Sequence, residues 1–302
     1  MREAGLVAQA KINVFLRVLA RETTGYHSIE TLFLRLELGD LVRVRIGGTE
    51  RSLRCHGPTC PPGGLGPPDR NLAFRAAVAY ADAVAWPSGF SIDVEKRIPV
   101  GGGLGGGSAD AGAVLRALNA LAPSPLGPTA LQALAAPLGA DVAFLASESV
   151  CALGWGRGER LLELPPPPQR HVELLVPGFA VSTQWAYERL ASRVAGQPRP
   201  WMHRVADLSS WEHLVAIAVN DLEPVVTAQH PEIAGHVTTL RQRGARIAMM
   251  SGSGSTVFGV FDDPPAAADD PASVPAPDGA PAAAARLRTR TADRVVGVER
   301  IE

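Results

Sequence analysis

Between an alternating apolar segment at 90–100 (FSIDVEKRIPV) and a helical pattern at 108–121 (SADAGAVLRALNAL), the chain reads Gly-Gly-Gly-Leu-Gly-Gly-Gly over 101–107. Six of these seven residues lack a Cβ. Backbone there can approach an anion closely and turn its N–H groups inward, and the helix that follows presents its positive end. Phosphate is the ligand that suits such a loop. A flexible linker is also glycine-rich, but it carries polar filler and does not run from a strand straight into an amphipathic helix. Gly101, Gly103 and Gly106 match G-x-G-x-x-G, yet no acidic strand end follows about 20 residues later, which disfavours a dinucleotide fold. Gly101 and Gly106 frame most of a Walker loop, but Gly107 stands where that loop needs its lysine. The cation has to come from elsewhere.

Of 29 basic residues only Lys11 and Lys96 are lysines. Lysine is a compact point charge that fits beside a reacting oxygen, and both survivors lie near the motifs. Lys11 stands in Ala10-Lys11-Ile12-Asn13 on an apolar strand, and Asp141 stands in Leu138-Gly139-Ala140-Asp141-Val142-Ala143-Phe144. An edge-strand lysine kept in water is the plainer reading of Lys11. Burial of both charges requires that they pair. At about 4 Å and an effective dielectric near 20, opposite charges attract by roughly 4 kcal/mol, enough to keep an aspartate ionised beside a lysine.

A chain of 302 residues exceeds one compact core and points to two domains, 1–163 and 164–302, divided near the stiff Leu-Pro-Pro-Pro-Pro-Gln-Arg connector at 164–170. Segments 6–18, 31–46 and 90–100 read as strands, Asn71 as the cap of a helix to about 85, and 128–138 as a short helix ended by Gly139. The stripe Ala111, Val114, Leu115, Leu118 and Leu121 marks the helix after the glycines. Beyond the connector, HVELLVP reads as a strand, and 183–195, 211–227 and 231–243 read as helices. IAMMSGSGSTVFGVF reads as strand, turn and strand, and RVVGVERI as a closing strand, an α+β pattern. Residues 262–285 are almost wholly Ala, Pro and Asp, with five aspartates, and read as a flexible acidic insertion.

A net charge of −1 lacks the basic excess that nucleic acid or an acidic membrane would demand. No apolar run approaches the roughly 20 residues that cross a bilayer, and the N-terminus has no apolar stretch ending in a small-residue cleavage site. A soluble, cytoplasmic protein acting on a small molecule is the expectation. The three cysteines, Cys55, Cys60 and Cys151, fit a reducing compartment better than a disulfide framework. Cys55, His56 and Cys60 lack the second ligand cluster of a metal site.

AKINVFL at 10–16, PVGGGLGGGSAD at 99–110 and MMSGSGSTVF at 249–258 resemble, in that order, the three-motif signature of the GHMP kinases, a superfamily of small-molecule kinases. ETTGYHSIETLF, LGADVAF, VPGFAVST with Tyr187, and AVNDLEPVV are similar to one branch of it, so that the likeness spans residues 8–261. That branch acts on a cytidyl substrate in the methylerythritol phosphate route to isoprenoids. The resemblance implies an α+β, two-domain architecture: a ribosomal S5 domain 2-like N-terminal domain that binds ATP and a ferredoxin-like C-terminal domain, with a cleft between them. It implies that Lys11 and Asp141 are the catalytic pair. It implies that Pro99, Val100, Gly101, Gly102, Gly103, Leu104, Gly105, Gly106, Gly107, Ser108 and Ala109 hold ATP. Mg²⁺ is expected with ATP, its ligands left open and Ser108 one candidate. Tyr26, His27 and Tyr187 fall where the branch recognises cytosine by stacking and hydrogen bonding, with Asn13 and Thr183 nearby.

The implied activity is ATP-dependent phosphorylation of the 2-hydroxyl of 4-diphosphocytidyl-2-C-methyl-D-erythritol by a monomer or weak homodimer. Three features depart from the branch: Ala109 stands where a second serine is common, Ala143 stands where proline is common, and the alanine-proline insertion is unusual. The alternatives are another GHMP kinase, acting on mevalonate, homoserine or a sugar, and a GHMP-fold ligand sensor without turnover. Retention of both Lys11 and Asp141 speaks against the sensor.

The composition of the acidic insertion generates a first prediction. Replacing residues 264–282 with a short Gly/Ser linker should leave melting temperature and turnover nearly unchanged. Thermal denaturation and a steady-state assay check it, and a large loss of either would make the segment packed or functional.

Overall fold

The computed structural model describes residues 2–21, 26–191, 204–266 and 285–301. Two long strands set the architecture. β1 (Arg2–Arg21) and β2 (His27–Ile46) pair antiparallel from Arg2 opposite Ile46 to Arg21 opposite His27. Along β1 the alternate residues Ala4, Leu6, Ala8, Ala10, Ile12 and Val14 enter one core, as a period of two demands. A register shift between Asn13 and Phe15 re-aims the strand, and Leu16 and Val18 then enter a second core. One strand thus serves both cores.

Around this pair lie β3 (Arg51–His56), β4 (Phe90–Glu95), β5 (Cys151–Gly156) and β6 (Arg160–Leu164). β4 lines residues 41–46 of β2 and β5 lines residues 29–34, while β3 runs parallel to β4 and β6 flanks β5. Among the described residues four α-helices precede β5: α1 (Leu72–Val84), α2 (Gly106–Leu121), α3 (Pro128–Ala135) and α4 (Ala140–Ala146). Asn71 caps α1 as expected, its Oδ1 accepting from the Ala73 N–H at 2.9 Å. α2 starts earlier than its apolar pattern, since Gly106 and Gly107 already belong to its first turn. The expected stripe is buried, and so are Ala113, Arg116 and Ala117, because β1 and β2 pack on one side of α2 and α1 and α4 on others. The turn of helix at α4 was not legible in the sequence.

The chain continues through β7 (His171–Val176), α5 (Thr183–Ala191), α6 (Trp211–Ile217), β8 (Val219–Asn220), α7 (Glu223–Gln229) and α8 (Glu232–Gln242). It closes with β9 (Ile247–Met250), β10 (Val257–Phe261), β11 (Ala285–Arg290) and β12 (Glu299–Ile301). A second, antiparallel sheet has the order β11-β7-β10-β9. The single helix expected over 211–227 is two helices broken by β8, which pairs with Phe15 and Leu16 of β1. Side chains enforce the break. Asn220 Nδ2 donates to the carbonyls of Met250 and Gly252, each at 2.8 Å, and the Val18 N–H donates to Asp221 Oδ2 at 2.7 Å. The closing strand is shorter than expected, and β12 pairs with residues 3–5 of β1. β8 and β12 therefore extend the first sheet although both follow residue 164.

Residues 192–195 of the helix expected from 183, and residues 267–284 of the acidic insertion, lie outside the described residues. The carbonyl of Ala266 accepts from Arg243 at 2.9 Å and Arg288 at 2.7 Å, so a replacement that begins after Ala266 tests the insertion alone. Among the described residues no helix is long and apolar enough to cross a membrane.

Arg35 of β2 is buried, and its guanidinium donates to the carbonyls of Ser149, Phe144, Leu145 and Ser147 at 2.8, 3.0, 3.2 and 2.9 Å. The Phe144 carbonyl also accepts from the Ser147 N–H and hydroxyl, whereas those of Leu145, Ser147 and Ser149 belong to a helix end and turn whose own backbone supplies no donor for them among the described residues. Burial, then the nearby Arg116, push this guanidinium down to about 9. Arg35→Met keeps bulk and removes every donor, so it should lower unfolding free energy by about 3 kcal/mol or more. Denaturant titration checks this, and a loss below about 1 kcal/mol would show that the carbonyls find other partners.

Candidate active site

Lys11 lies on β1 in a cleft of about 1080 Å³ lined by residues from both halves of the chain. It is only 3% exposed. Its Nζ is 2.7 Å from Asn13 Oδ1, 3.1 Å from the Gly103 carbonyl and 3.3 Å from Asp141 Oδ2. Asp141, in the first turn of α4, keeps a third of its side chain exposed to the cleft. Asn13 is committed on its other side, its Nδ2 donating to Thr31 Oγ1 at 2.8 Å, and that hydroxyl donates to the Phe15 carbonyl at 2.7 Å. A buried relay therefore fixes the lysine head that faces the aspartate.

The glycine loop is clamped from two sides. The Lys11 N–H donates to the Leu104 carbonyl at 3.0 Å, and on the other face Ser251 Oγ donates to the Gly103 carbonyl at 3.0 Å. Gly103 has φ +78°, and a Cβ there would stand 2.2 Å from the Ser251 carbonyl oxygen, so only glycine fits. The Thr256 N–H donates to the Gly102 carbonyl at 3.2 Å. The loop between β9 and β10 thus braces the loop before α2, and Asn220 braces it in turn. Pro99 through Ser108 line the cleft, whereas Ala109 is buried beneath it.

At the other end of the cleft the His27 and Tyr187 rings stack at 5.1 Å, and Tyr26 is 58% exposed with the Arg157 guanidinium 3.9 Å over its ring. α5 presents Thr183 and Tyr187 one helical turn apart, and Thr183 Oγ1 lies 2.8 Å from Ser253 Oγ. Burial, then the carboxylates of Asp141 and Asp221, push the Tyr187 hydroxyl up, so it stays a neutral donor. Lys11, Asn13, Tyr26, His27, Asp141, Thr183 and Tyr187 all line this one cleft.

Arg157, Lys96 and Asp110 also line the cleft, although the sequence assigned them no part in it. Arg157 carried no signal beyond a Gly-Arg-Gly-Glu turn. Lys96 stood out as the second lysine, and the structure gives it two carboxylates: Asp40, and Asp110 Oδ2 at 2.6 Å. All three are buried. Asp40 also accepts from the N–H groups of Arg97 and Ile98 at 2.5 and 2.8 Å, whereas Asp110 Oδ1 has no hydrogen-bond partner among the described residues. With one ammonium for two carboxylates, Asp110 is the less favoured anion. Burial raises its carboxyl most, Lys96 pulls it down and Asp40 raises it again, to about 7. Burial alone would lower Lys96, but the two carboxylates hold it above the ordinary lysine value. This triad lies under the phosphate-type loop, with Lys96 Nζ 3.5 Å from where a Gly106 Cβ would stand.

The family descriptions "GHMP kinases N terminal domain" and "GHMP kinases C terminal" match residues 71–149 and 204–276. A relative from Geobacter sp. (strain M21), named 4-diphosphocytidyl-2-C-methyl-D-erythritol kinase, is 38% identical over 288 residues, 95% of this chain and 99% of its own. The chain belongs to the GHMP kinases and, among them, to the 4-diphosphocytidyl-2-C-methyl-D-erythritol kinases. A crystal structure of 4-(cytidine 5'-diphospho)-2C-methyl-D-erythritol kinase matches with a TM-score of 0.70 at 33% identity, over 97% of this chain and 99% of that one. A homoserine kinase from Cytophaga hutchinsonii reaches 0.69 at 16% identity, over 99% and 97%, and shares the fold alone. Backbone likeness does not separate these two, so the side chains of the cleft must.

The triad generates a prediction about pH. A group whose folded pKa lies above its unfolded value contributes stability that is complete below the unfolded pKa and lost as pH rises through the folded one. Asp110, raised to about 7, therefore weighs against folding increasingly as pH climbs from about 4 to about 7, and by a constant amount above that. Asp110→Asn leaves Lys96 with Asp40, and its melting temperature relative to the parent should rise across that range. Thermal melts in which the difference is flat with pH would show that Asp110 ionises without penalty.

Proposed function

We infer that this chain is an ATP-dependent kinase that phosphorylates the 2-hydroxyl of 4-diphosphocytidyl-2-C-methyl-D-erythritol, giving the 2-phosphate and ADP on the route to isoprenoid precursors. The observation that carries the reading is the Lys11–Asp141 pair at 3.3 Å, set between the glycine loop and the Tyr26, His27 and Tyr187 group in one cleft. The backbone of 101–108 receives the triphosphate, and the aromatic group receives the cytosine, Tyr187 stacking and His27 reading a base edge. The acceptor hydroxyl is then directed at Asp141.

Asp141 accepts the hydroxyl proton, and Lys11 orients that carboxylate and favours the charge that develops on the transferred group. A carboxylate is a weak base toward an alcohol, so the proton leaves late, in a loose transition state whose main requirements are alignment and charge stabilisation. The oxygen donors Ser108 and Asp141, both lining the cleft, fit a hard cation that takes its remaining ligands from phosphate and water. Mg²⁺ bound there would neutralise triphosphate charge. In this reading the ATP loop belongs to a 1–163 domain, and Thr183 and Tyr187 to a 164–302 domain. The free thiols of Cys55, Cys60 and Cys151 support a cytoplasmic setting.

The test is phosphoryl transfer from ATP to the diphosphocytidyl substrate by the parent chain, Lys11→Met, Asp141→Asn and the double variant. Each single variant should lose about a hundredfold or more in single-turnover rate. ATP affinity by calorimetry should stay within about threefold, because backbone groups hold the phosphates. The double variant should be little worse than the worse single one, as for groups acting as a unit. Near-normal turnover in both single variants, or no transfer by the parent, overturns the reading.

A further inference from the structure

We propose that Thr31, a residue outside the cleft, is a positioning residue for phosphoryl transfer: its hydroxyl holds the Asn13 amide in the direction that seats the Lys11 ammonium against Asp141. The inference deepens the kinase reading above and rests on it. Thr31 lies on β2, is fully buried and does not line the cleft. Any effect it has on the reaction must pass through another side chain.

Hydrogen-bond polarity runs one way through this group. A threonine hydroxyl has one hydrogen to give, and that of Thr31 goes to the Phe15 carbonyl at 2.7 Å. Toward Asn13 its oxygen can then only accept. The Asn13 amide answers with Nδ2 at 2.8 Å, which turns its Oδ1 to the opposite side, 2.7 Å from Lys11 Nζ. Rotation about the last bond of an asparagine side chain is broad and roughly two-fold, so the amide by itself prefers neither direction. Lys11 and Thr31 hold it from its two ends.

The sheet is irregular where they do so. β1 and β2 shift register between Asn13, opposite Phe33, and Phe15, opposite Leu32. With Leu16 opposite Thr31, the shift brings the Phe15 carbonyl and the Asn13 side chain to the same hydroxyl. Irregularities of this kind re-aim side chains beside active sites.

Lys11 depends on the acceptor it is given. An ammonium carries three hydrogens, and three oxygens meet them: Asn13 Oδ1, the Gly103 carbonyl and Asp141 Oδ2, at 2.7, 3.1 and 3.3 Å. The shortest of these contacts is the one that Thr31 supports. Gly252 closes a further side, since a Cβ there would stand 3.3 Å from Lys11 Nζ. Without the hydroxyl, Nδ2 loses its acceptor in a buried place, and the amide gains by turning to find another, which takes Oδ1 off the ammonium. Lys11 then leaves its seat beside the carboxylate that it orients. The glycine loop and the aromatic group stay as they are, so the chemical step suffers and binding does not.

Lys11 and Lys96 are the only lysines in the chain, so lysine-selective isotope labelling gives two side-chain ammonium signals in nuclear magnetic resonance, and Lys11→Met tells them apart. Thr31→Val keeps the shape of threonine and removes its hydroxyl. It should shift the Lys11 signal and leave that of Lys96 in place. In the assay it should lower kcat about tenfold, the scale of one hydrogen bond to a charged group, with both KM values within about twofold. Thr31→Ser keeps the hydroxyl and should restore both signal and turnover, and Thr31→Ala carries the same test should the valine variant not fold. Rates are taken well below the melting temperature, which a lost buried hydrogen bond lowers whatever Thr31 does for catalysis. An unmoved Lys11 signal, a moved signal with unchanged kcat, or KM values that rise as much as kcat falls would overturn the proposal and leave the kinase reading standing. A parent chain that transfers no phosphate overturns both.

Discussion

An ammonium group stripped of water has to be met by oxygen, and for Lys11 that oxygen comes from Asn13, Gly103 and Asp141, residues far apart in the chain. Meeting them draws β1, the glycine loop and α4 to one point. The cross-strand partner of Lys11 in the sheet is Arg35, a second buried cation. Like charges placed directly opposite on adjacent strands repel. The seven residues of α4 resolve the conflict, offering Asp141 from their first turn to Lys11 and their terminal carbonyls to Arg35. A cation at a helix C-terminus is also where the helix dipole favours it. The short helix that carries the proposed proton acceptor is thus held at each end by one of the two central strands.

The loops depend on the same economy of space. Residues 101–107 cannot brace themselves, because glycine loses more conformational freedom on ordering than any other residue. Order comes from Lys11 on one side and the Ser251 to Thr256 loop on the other, whose own position is set by Asn220. Asn220 and Asp221 interrupt the helical run for that purpose, joining the second core to β1. The two halves of the chain are therefore coupled through hydrogen bonds at the cleft itself, and both contribute walls to it.

Specificity lies on a different level from fold. A homoserine kinase and a 4-(cytidine 5'-diphospho)-2C-methyl-D-erythritol kinase match this backbone with TM-scores of 0.69 and 0.70. The proposed reading rests on side chains that reach the cleft from short segments: Tyr26 and His27 at the start of β2 and Tyr187 on α5. Surface segments on a rigid scaffold carry recognition, and this arrangement follows that division.

By itself the sequence determined what is local. The period of two in β1, the Asn71 cap, the stripe of α2 and the room that six glycines leave for an anion are written within a few residues of where they act. The order of three motifs likewise identified the kinase family, and two charges in apolar segments pointed to the Lys11–Asp141 pairing. Tertiary structure alone decided that 211–227 breaks at Asn220, that α4 exists, that Lys96 is held by Asp40 and Asp110 under the loop, and that Arg157 comes over Tyr26. The reason is range: periodicity and capping are settled within a turn or two of backbone. The neutralisation of a buried charge depends on which distant residues share its volume.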